Sequence, residues 1–553
     1  MDKDERGVNS YMTDEEMEAA ALRRKERRKK DHRLKVIFTT LLILCLAAAA
    51  CAFYALYLVP RDADLPWPGF LGSRPQLHSS ASDTKKQEGN ALLNAIENQI
   101  AAQSEPQSES APAAVPPAPQ TELQTETETE KQPASEASAS NESVQLMEEA
   151  KLLAAGYDYD GAIAKLTSIS GYDSDQTIQQ LISDYTAQRD ACVAVDPYTV
   201  PHIFYHSLVN STAKAFDYEA LGQGAVDGFN AWMVTVDEFD AFTQRLYDAG
   251  YVYVRLRDLV VETTDADGNV HFAPNTELKL PEGKKAIVLS VDDCSYYHSY
   301  ESASFPEKLV LDDNGKVKCL YTDAAGNTSV GDYDVVPRLN TFLEEHPDGA
   351  YHGARGIMAM TGYNGVFGYR TDTDYLLQQN LMEDQRAWLD AHPDYNYDQD
   401  VADATVIANA LKEEGWEFAS HTWGHLSVTD KSVETLQADN EKWVATVEPI
   451  VGPVDTIIFA HGNDIGSWEG YEGNEKYAYF NSVGYHFYCN VDGSVPYWVQ
   501  ITDQYVRQGR IDVDGYRLYL AQNGEDSSLS QLVDLSGIFN EDRPTPVVAN
   551  GES

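Results

Sequence analysis

From residue 201 onward, short apolar runs alternate with stretches in which apolar residues recur at helical spacing. Apolar runs of strand length lie at residues 202–205, 251–254, 286–291, 416–420 and 456–459. Helical spacing is found between them, at residues 239–246, 404–414 and 433–447. Regular alternation of this kind is typical of α/β proteins with a mostly parallel sheet or barrel.

One segment interrupts this alternation. Residues 308–321 read as two strands that turn at Asn314-Gly315. An Asn-Gly pair between apolar runs is a strong signal for a β-hairpin, because both residues accept a positive φ. We therefore expect a β-hairpin insertion in the α/β domain.

A long apolar segment lies near the amino terminus. Val36 to Val59 is a run of 24 residues without a charge, and the basic stretch of residues 1–35 precedes it. Such a run can cross a hydrocarbon core of about 30 Å as a helix. The positive-inside rule predicts a cytoplasmic tail at residues 1–35, a single transmembrane helix at 36–59 and an extracytoplasmic remainder. A cleaved signal peptide and a lipid-modified Cys51 are the alternatives.

The next two segments differ in composition. Residues 60–143 lack apolar periodicity and are rich in Ser, Pro, Gln and Glu, which predicts a disordered linker. Residues 144–194 have helical spacing that is broken at residues 156–161. This pattern resembles one tetratricopeptide-type helical hairpin, and a plain helical spacer is an equally open interpretation.

Charge and cysteine content narrow the range of partners. The formal net charge of −47 predicts a surface that repels phosphate backbones, so we expect no nucleic-acid partner. The six cysteines are widely scattered and fit neither a disulfide framework nor a zinc-cysteine site.

Candidate chemistry begins with the histidines. His421 and His425 are four residues apart, and on a helical turn both imidazoles would face one shared cation. His202 and His206 have the same spacing, but in an extended strand they would lie roughly 13 Å apart and could not chelate one ion. The first pair follows a strand and begins a polar loop, where sites of α/β barrels are built.

A pair of carboxylates follows another predicted strand. Asp292 and Asp293 come directly after the apolar run at residues 286–291. Two carboxylates at the end of a buried strand are costly unless something binds them. We therefore regard them as candidate functional residues, with a solvated acidic pair as the alternative.

The order of these motifs resembles a known family. A strand that ends in Asp292-Asp293, followed after a later strand by His421-Thr-Trp-Gly-His425, is similar to the NodB-type polysaccharide deacetylases, carbohydrate esterase family 4. Residues 201–208 also resemble the opening strand of that family. The resemblance implies a distorted parallel (β/α) barrel, which we place at residues 195–545.

The resemblance also implies roles for these residues. Asp292 would be the general base, and Asp293, His421 and His425 would hold one divalent metal ion, with zinc expected and other transition metals compatible. The implied reaction is N- or O-deacetylation of an envelope or extracellular polysaccharide, such as peptidoglycan or a secreted glycan.

The later motifs depart from the family pattern. The family's closing motif contains a histidine that acts as general acid, whereas the corresponding residues 507–515 contain none. His461, in the segment after the strand at 456–459, is the candidate that could take this place. The alternative function is a catalytically inactive, glycan-binding protein of the cell envelope. Oligomeric state is left open.

Overall fold

The computed structural model describes residues 134–549 except residues 302 and 526, with side chains from residue 142 onward. This described part of the chain contains sixteen β-strands. They are β1 (Val193–Ala194), β2 (His202–Tyr205), β3 (Tyr251–Tyr253), β4 (Val260–Thr264), β5 (Val270–Pro274), β6 (Lys279–Leu280), β7 (Lys285–Val291), β8 (Lys308–Leu311), β9 (Val317–Thr322), β10 (Thr328–Gly331), β11 (Ile357–Met360), β12 (Glu417–Ser420), β13 (Thr456–Ile458), β14 (Phe487–Val491), β15 (Trp498–Ile501) and β16 (Val506–Asp512).

Seven of these strands close into a parallel barrel. Their order around the barrel is β7, β11, β12, β13, β14, β16 and β2, and β2 pairs again with β7. Strand β3 pairs in parallel with β7 at its amino-terminal half, and β15 pairs antiparallel with β16. The expected α/β barrel is therefore confirmed.

The helices are distributed along the whole described part of the chain. They are α1 (Ala134–Ala155), α2 (Tyr159–Thr167), α3 (Gln176–Ala191), α4 (Thr212–Ala215), α5 (Tyr218–Leu221), α6 (Gln223–Trp232), α7 (Val236–Asp248), α8 (His298–Glu301), α9 (Val335–Glu345), α10 (Thr373–Leu377), α11 (Glu383–Ala391), α12 (Tyr397–Glu414), α13 (Val433–Thr446), α14 (Glu448–Val451), α15 (Glu475–Ser482) and α16 (Gly515–Gln522).

Strand β7 separates two apolar cores, because successive side chains of a strand point to opposite faces. Ile287, Leu289 and Val291 belong to the core between the barrel and the surrounding helices. Ala286 and Val288 belong to a second core that includes the barrel interior. The run is therefore apolar at consecutive positions because both faces are covered, as is typical of parallel strands.

Helices α1 to α3 precede the barrel and share its second core. Ala150, Ala162 and Leu166 are buried in the same apolar cluster as Val288. The helical region begins at Ala134 rather than at the expected residue 144. The helix break expected at residues 156–161 is shorter in the structure, since α1 ends at Ala155 and helical structure resumes at Tyr159. The tetratricopeptide resemblance stays a prediction.

The predicted hairpin is present and carries an additional strand. β8 pairs antiparallel with β9, and Gly315 has a φ of +77° in the turn between them. β9 also pairs antiparallel with β10, so the insertion is a three-stranded sheet. Leu309, Val317 and Cys319 pack into the core that the surrounding helices share.

Two further expectations concern membranes and cysteines. The predicted transmembrane segment at residues 36–59 and the linker at 60–143 lie almost entirely outside the described residues. Within the described part of the chain, no helix is long and apolar enough to span a membrane. The four cysteines in that part, Cys192, Cys294, Cys319 and Cys489, are all free thiols.

Candidate metal centre

The carboxylate pair lies at the carboxyl end of β7. The backbone N–H of Asp292 donates to the carbonyl of Tyr205 at 2.8 Å, so the strand pairing continues one residue beyond β7. Asp293 then has a φ of +59°, and the chain turns away from the barrel. This left-handed conformation is uncommon for residues other than glycine, although Asp adopts it more readily than most.

Asp292 is held by a buried arginine. Arg510 donates from both terminal nitrogens to the two carboxylate oxygens of Asp292, at 2.7 and 3.0 Å. Burial by itself raises the pKa of Asp292, but the charge of Arg510, the neighbouring His421 and the hydrogen bonds together lower it to about 2. Asp292 is therefore ionised at neutral pH although its side chain is only 4% exposed.

His421 directly follows β12 and is buried. Its Nδ1 donates to the carbonyl of Ile458 at 2.7 Å, so its Nε2 is the nitrogen free to bind a cation. Burial lowers the pKa of His421 to about 4, which makes the ring neutral at physiological pH. A neutral imidazole is the form that binds metal ions.

The segment from His421 to His425 is a turn rather than the helical turn that the spacing suggested. Thr422 has a φ of +60° and His425 a φ of +51°. The carboxylate of Asp439, on α13, accepts from the backbone N–H groups of Trp423 and Gly424 at 2.7 and 2.9 Å. The two imidazoles thus converge, with ring centroids 5.0 Å apart, because Asp439 holds the turn.

Three potential ligand atoms come together at this point. One atom each from Asp293, His421 and His425 lies within 4.8 Å of the others. Nε2 of His425 and Oδ1 of Asp293 are 3.6 Å apart. Two ligands of a tetrahedral zinc ion lie roughly 3.4 Å apart at ordinary bond lengths. One carboxylate and two imidazoles at these distances fit a divalent transition metal.

Asp293 also has a partner outside this group. The hydroxyl of Tyr297 donates to its Oδ1 at 2.8 Å. Burial raises the pKa of Asp293, but the charges of His425 and His421 bring it below its ordinary value. A carboxylate oriented by a hydrogen bond in this way is typical of metal ligands.

His461, the expected general acid, lies on the far side of His425. It has a φ of +58° after β13, and its ring centroid lies 4.4 Å from that of His425. Its Nε2 lies 3.2 Å from the carbonyl oxygen of His425. The structure thus brings His461 next to a candidate metal ligand and leaves its role as an acid a prediction.

Sequence reasoning missed three polar residues at the same end of the barrel: Arg510, His206 and Asp512. Nδ1 of His206 lies 3.9 Å from Oδ1 of Asp512. The signal was the alternation of polar residues along residues 508–514, since every second position of β16 carries a polar side chain that is buried. Whether these buried polar side chains belong to the site depends on which strands flank β16, and the sequence does not predict the neighbours of a strand.

Aromatic rings adjoin the candidate metal centre. Tyr297 stacks on Tyr363 with centroids 5.1 Å apart and an interplanar angle of 17°. Trp423 lies 6.5 Å from Tyr363, and both rings are half-buried. A Cβ at Gly362 would lie 2.2 Å from the Trp423 ring, so only glycine fits there. Aromatic rings therefore line one side of the site.

Comparison with known proteins gives one structural match. No family model matches the chain, and no curated protein matches it. The chain is similar to the Streptococcus pyogenes deacetylase PplD in complex with acetate, with 11% sequence identity and a TM-score of 0.27. The match covers 57% of this chain and 94% of that chain. At this level of similarity, function has to be inferred from the residues of the site.

Proposed function

We propose that this protein is a metal-dependent hydrolase that removes acetyl groups from an envelope or extracellular polysaccharide. One observation carries the proposal: three convergent ligand atoms lie beside a buried, ionised carboxylate at the carboxyl end of a parallel barrel. Carboxyl ends of barrel strands are where such folds build active sites.

The candidate ligands are Asp293, His421 and His425. A divalent ion bound there, zinc being the expected one, would polarise the acetyl carbonyl and lower the pKa of a water molecule. The neutral state of His421 and its Nδ1 hydrogen bond to Ile458 support this use of its Nε2. That the bound ion is zinc is itself part of the proposal.

Asp292 is the proposed general base. Oδ2 of Asp292 lies 3.8 Å from Nε2 of His421, so its carboxylate borders the ligand group without belonging to it. Arg510 keeps this carboxylate ionised and fixes its orientation by two hydrogen bonds. In hydrolysis, the oxygen of the attacking water would bond to the acetyl carbon while Asp292 accepts one proton of that water.

The surface beside this site supports the proposed substrate class. Tyr363 and Trp423 are half-buried aromatic residues beside the site, and aromatic rings of this kind suit the apolar faces of sugar rings. The net charge of −47 disfavours polyanionic substrates such as nucleic acid. The envelope location is proposed from residues 36–59 and the linker that follows them.

The test is acetate release by the purified full-length protein. Acetylated peptidoglycan, acetylated chitin oligomers and O-acetylated xylan are incubated with the protein, with and without a chelator. We expect acetate from at least one glycan, loss of release with chelator, and recovery on adding zinc. Bound metal without acetate from any glycan would instead favour the inactive, glycan-binding alternative.

Two variants separate the proposed roles. Asp292→Asn is expected to keep its metal and lose acetate release, because the amide cannot accept the proton. His421→Ala is expected to lose both metal and release. His352→Gln is the matched control, since His352 is an exposed histidine in the segment between α9 and β11, before the barrel strand begins. If Asp292→Asn leaves turnover unchanged, Asp292 is not the base.

A further inference from the structure

His206 and Asp512 form a polar pair at the mouth of the barrel that the proposed reaction has not yet used. Nδ1 of His206 and Oδ1 of Asp512 are 3.9 Å apart. Both atoms are buried, and neither has a hydrogen-bond partner within the described part of the chain. A small rotation of either side chain would join the two atoms in a hydrogen bond.

Strand register places His206 next to the proposed base. It follows Tyr205, whose carbonyl accepts the N–H of Asp292 at 2.8 Å. Strand β16 flanks β2 on the other side, where Asp512 is aligned with Phe204. Neighbouring strands are about 4.8 Å apart. His206 is therefore level with Asp292 just beyond the ends of β2 and β7, and Asp512 lies on the other neighbouring strand, level with Phe204 two residues before His206.

Side-chain alternation directs His206 into the barrel. His202, four residues earlier and so on the same face of the chain, lies inside the barrel and contacts Ser290 and Gln508. Phe204, also on this face, lies under the guanidinium of Arg510 at 4.0 Å. His206 is the next residue of this series, and it therefore faces the space above Arg510 and Asp292.

Burial distinguishes the two members of the pair. The side chain of His206 is 16% exposed, whereas that of Asp512 is 2% exposed. Burial and the neighbouring Asp514 raise the pKa of Asp512 well above its ordinary value. A positive charge on His206 lowers the pKa of Asp292, Asp293 and Asp514. The ring therefore lies close enough to interact electrostatically with these three carboxylates. His206 is thus the more accessible member of the pair at the mouth of the barrel, and Asp512 is almost fully buried beside it.

Hydrolysis of an acetamide also needs a proton donor. Asp292 is ionised when the reaction begins, so it has no proton to donate at that point. The leaving amine must take a proton as the C–N bond breaks, and histidine is the side chain that most often supplies one. His461 is less suited, because its Nε2 already lies 3.2 Å from the carbonyl oxygen of His425.

We propose that His206 is the catalytic proton donor to the leaving group and that Asp512 is its positioning residue; this rests on the proposed deacetylase function. Water oxygen bonds to the acetyl carbon while Asp292 takes one water proton. The C–N bond then breaks, the nitrogen keeps the bonding pair, and it takes a proton from the His206 imidazolium. Acetic acid and the free amine leave, the acid loses its proton to solvent to become acetate, and the proton held by Asp292 passes to His206 and restores both residues to their starting states.

Substrates that differ in leaving group test this assignment. In the full-length protein, His206→Gln is expected to lower kcat on the best acetylated glycan by about 100-fold or more. It should lower kcat on 4-nitrophenyl acetate by less than about 5-fold, because nitrophenolate leaves without a proton. Asp512→Asn should show the same split to a smaller extent. His206→Gly should regain glycan turnover when imidazole is added.

Metal content and thermal unfolding are measured for each variant, with His352→Gln as control. Equal losses on both substrates together with no rescue by imidazole would overturn the assignment, as would loss of metal in His206→Gln. The same split in His461→Gln, with none in His206→Gln, would assign the acid to His461 instead. A wild-type protein that binds metal but releases no acetate would overturn the deacetylase function and this inference together.

Discussion

At the scale of single residues, the arginine on β16 decides what Asp292 can do. A carboxylate that is 4% exposed would ordinarily take up a proton, since burial disfavours its charged form. Two hydrogen bonds from Arg510 reverse this effect and also fix the plane of the carboxylate. The sequence indicated Asp292 through the apolar strand before it. It could not indicate Arg510, whose partner lies 218 residues away.

Arg510→Met tests this dependence. We expect Asp292 to lose its charge partner, acetate release to fall at least about 100-fold, and the free energy of unfolding to fall by about 3–5 kcal/mol. Arg507→Met is the matched control, because Arg507 lies on the same strand and pairs with Asp464 at 2.6 Å outside the site. It should be destabilised without a specific loss of turnover. Equal turnover in both variants would contradict the role of Arg510.

Asp372 offers a pH-dependent test away from the candidate site. Burial raises its pKa to about 7, although the N–H of Asp374 donates to it at 3.1 Å. The native state therefore binds more protons than the unfolded state between pH 4 and 7, and stability falls as pH rises through this window. Asp372→Asn keeps the acceptor and lacks the charge.

We accordingly expect Asp372→Asn to be more stable than the wild type at pH 8, by on the order of 1 kcal/mol for each unit of pKa shift, with little or no advantage at pH 4. Denaturant unfolding at the two pH values measures this. Asp313→Asn, at an exposed position, should show no such pH-dependent gain. An advantage that is the same at both pH values would mean that the charge of Asp372 is not its source.

At the scale of elements, the turn after β12 sets the direction of both histidines. The spacing of His421 and His425 predicts a helical turn, whereas the structure has a non-helical turn held by Asp439. Both a helical turn and this turn bring residues four apart close together. The spacing therefore identifies the correct pair of histidines, although the backbone geometry that it predicts is not the one observed. The carboxylate on α13 could not be connected to this turn from the sequence, because the contact crosses from one element to another.

Asp439→Ala tests whether this turn positions the ligands. Two backbone N–H groups would lose their acceptor, and we expect metal affinity to fall about 10- to 100-fold. Competition with a chromogenic chelator measures the affinity. Gln437→Ala, an exposed change on the same helix, is the control and should leave affinity unchanged. Unchanged affinity in Asp439→Ala would show that the turn holds its shape without that carboxylate.

At the scale of the whole molecule, barrel closure is what assembles the site. Asp293 follows β7, His421 and His425 follow β12, His206 follows β2, and Asp512 is the last residue of β16. The alternation of strands and helices predicted parallel strands, but not which strand neighbours which. Closure between β2 and β7 places His206 level with Asp292, and the sequence could not predict this proximity.

The helices before the barrel share an apolar core with β7, so we expect them to unfold together with the barrel in one cooperative transition. The hydroxyl of Tyr157 also donates to the carbonyl of Asp348 at 2.6 Å. Tyr157→Phe is expected to lower the free energy of unfolding by about 0.5–1.5 kcal/mol in a single transition, without loss of metal. Tyr198→Phe, at an exposed position, is the control. A separate transition for the helices would contradict a shared unit.

The most direct test of the central claim is the metal content of the full-length protein, measured by mass spectrometry of the elements after exhaustive dialysis. Three ligands at this spacing predict about one divalent ion for each chain in the wild type. They predict close to none in Asp293→Ala, His421→Ala and His425→Ala, and wild-type content in His352→Gln. The same metal content in the wild type and in all three ligand variants would contradict the assignment of Asp293, His421 and His425 as a metal centre.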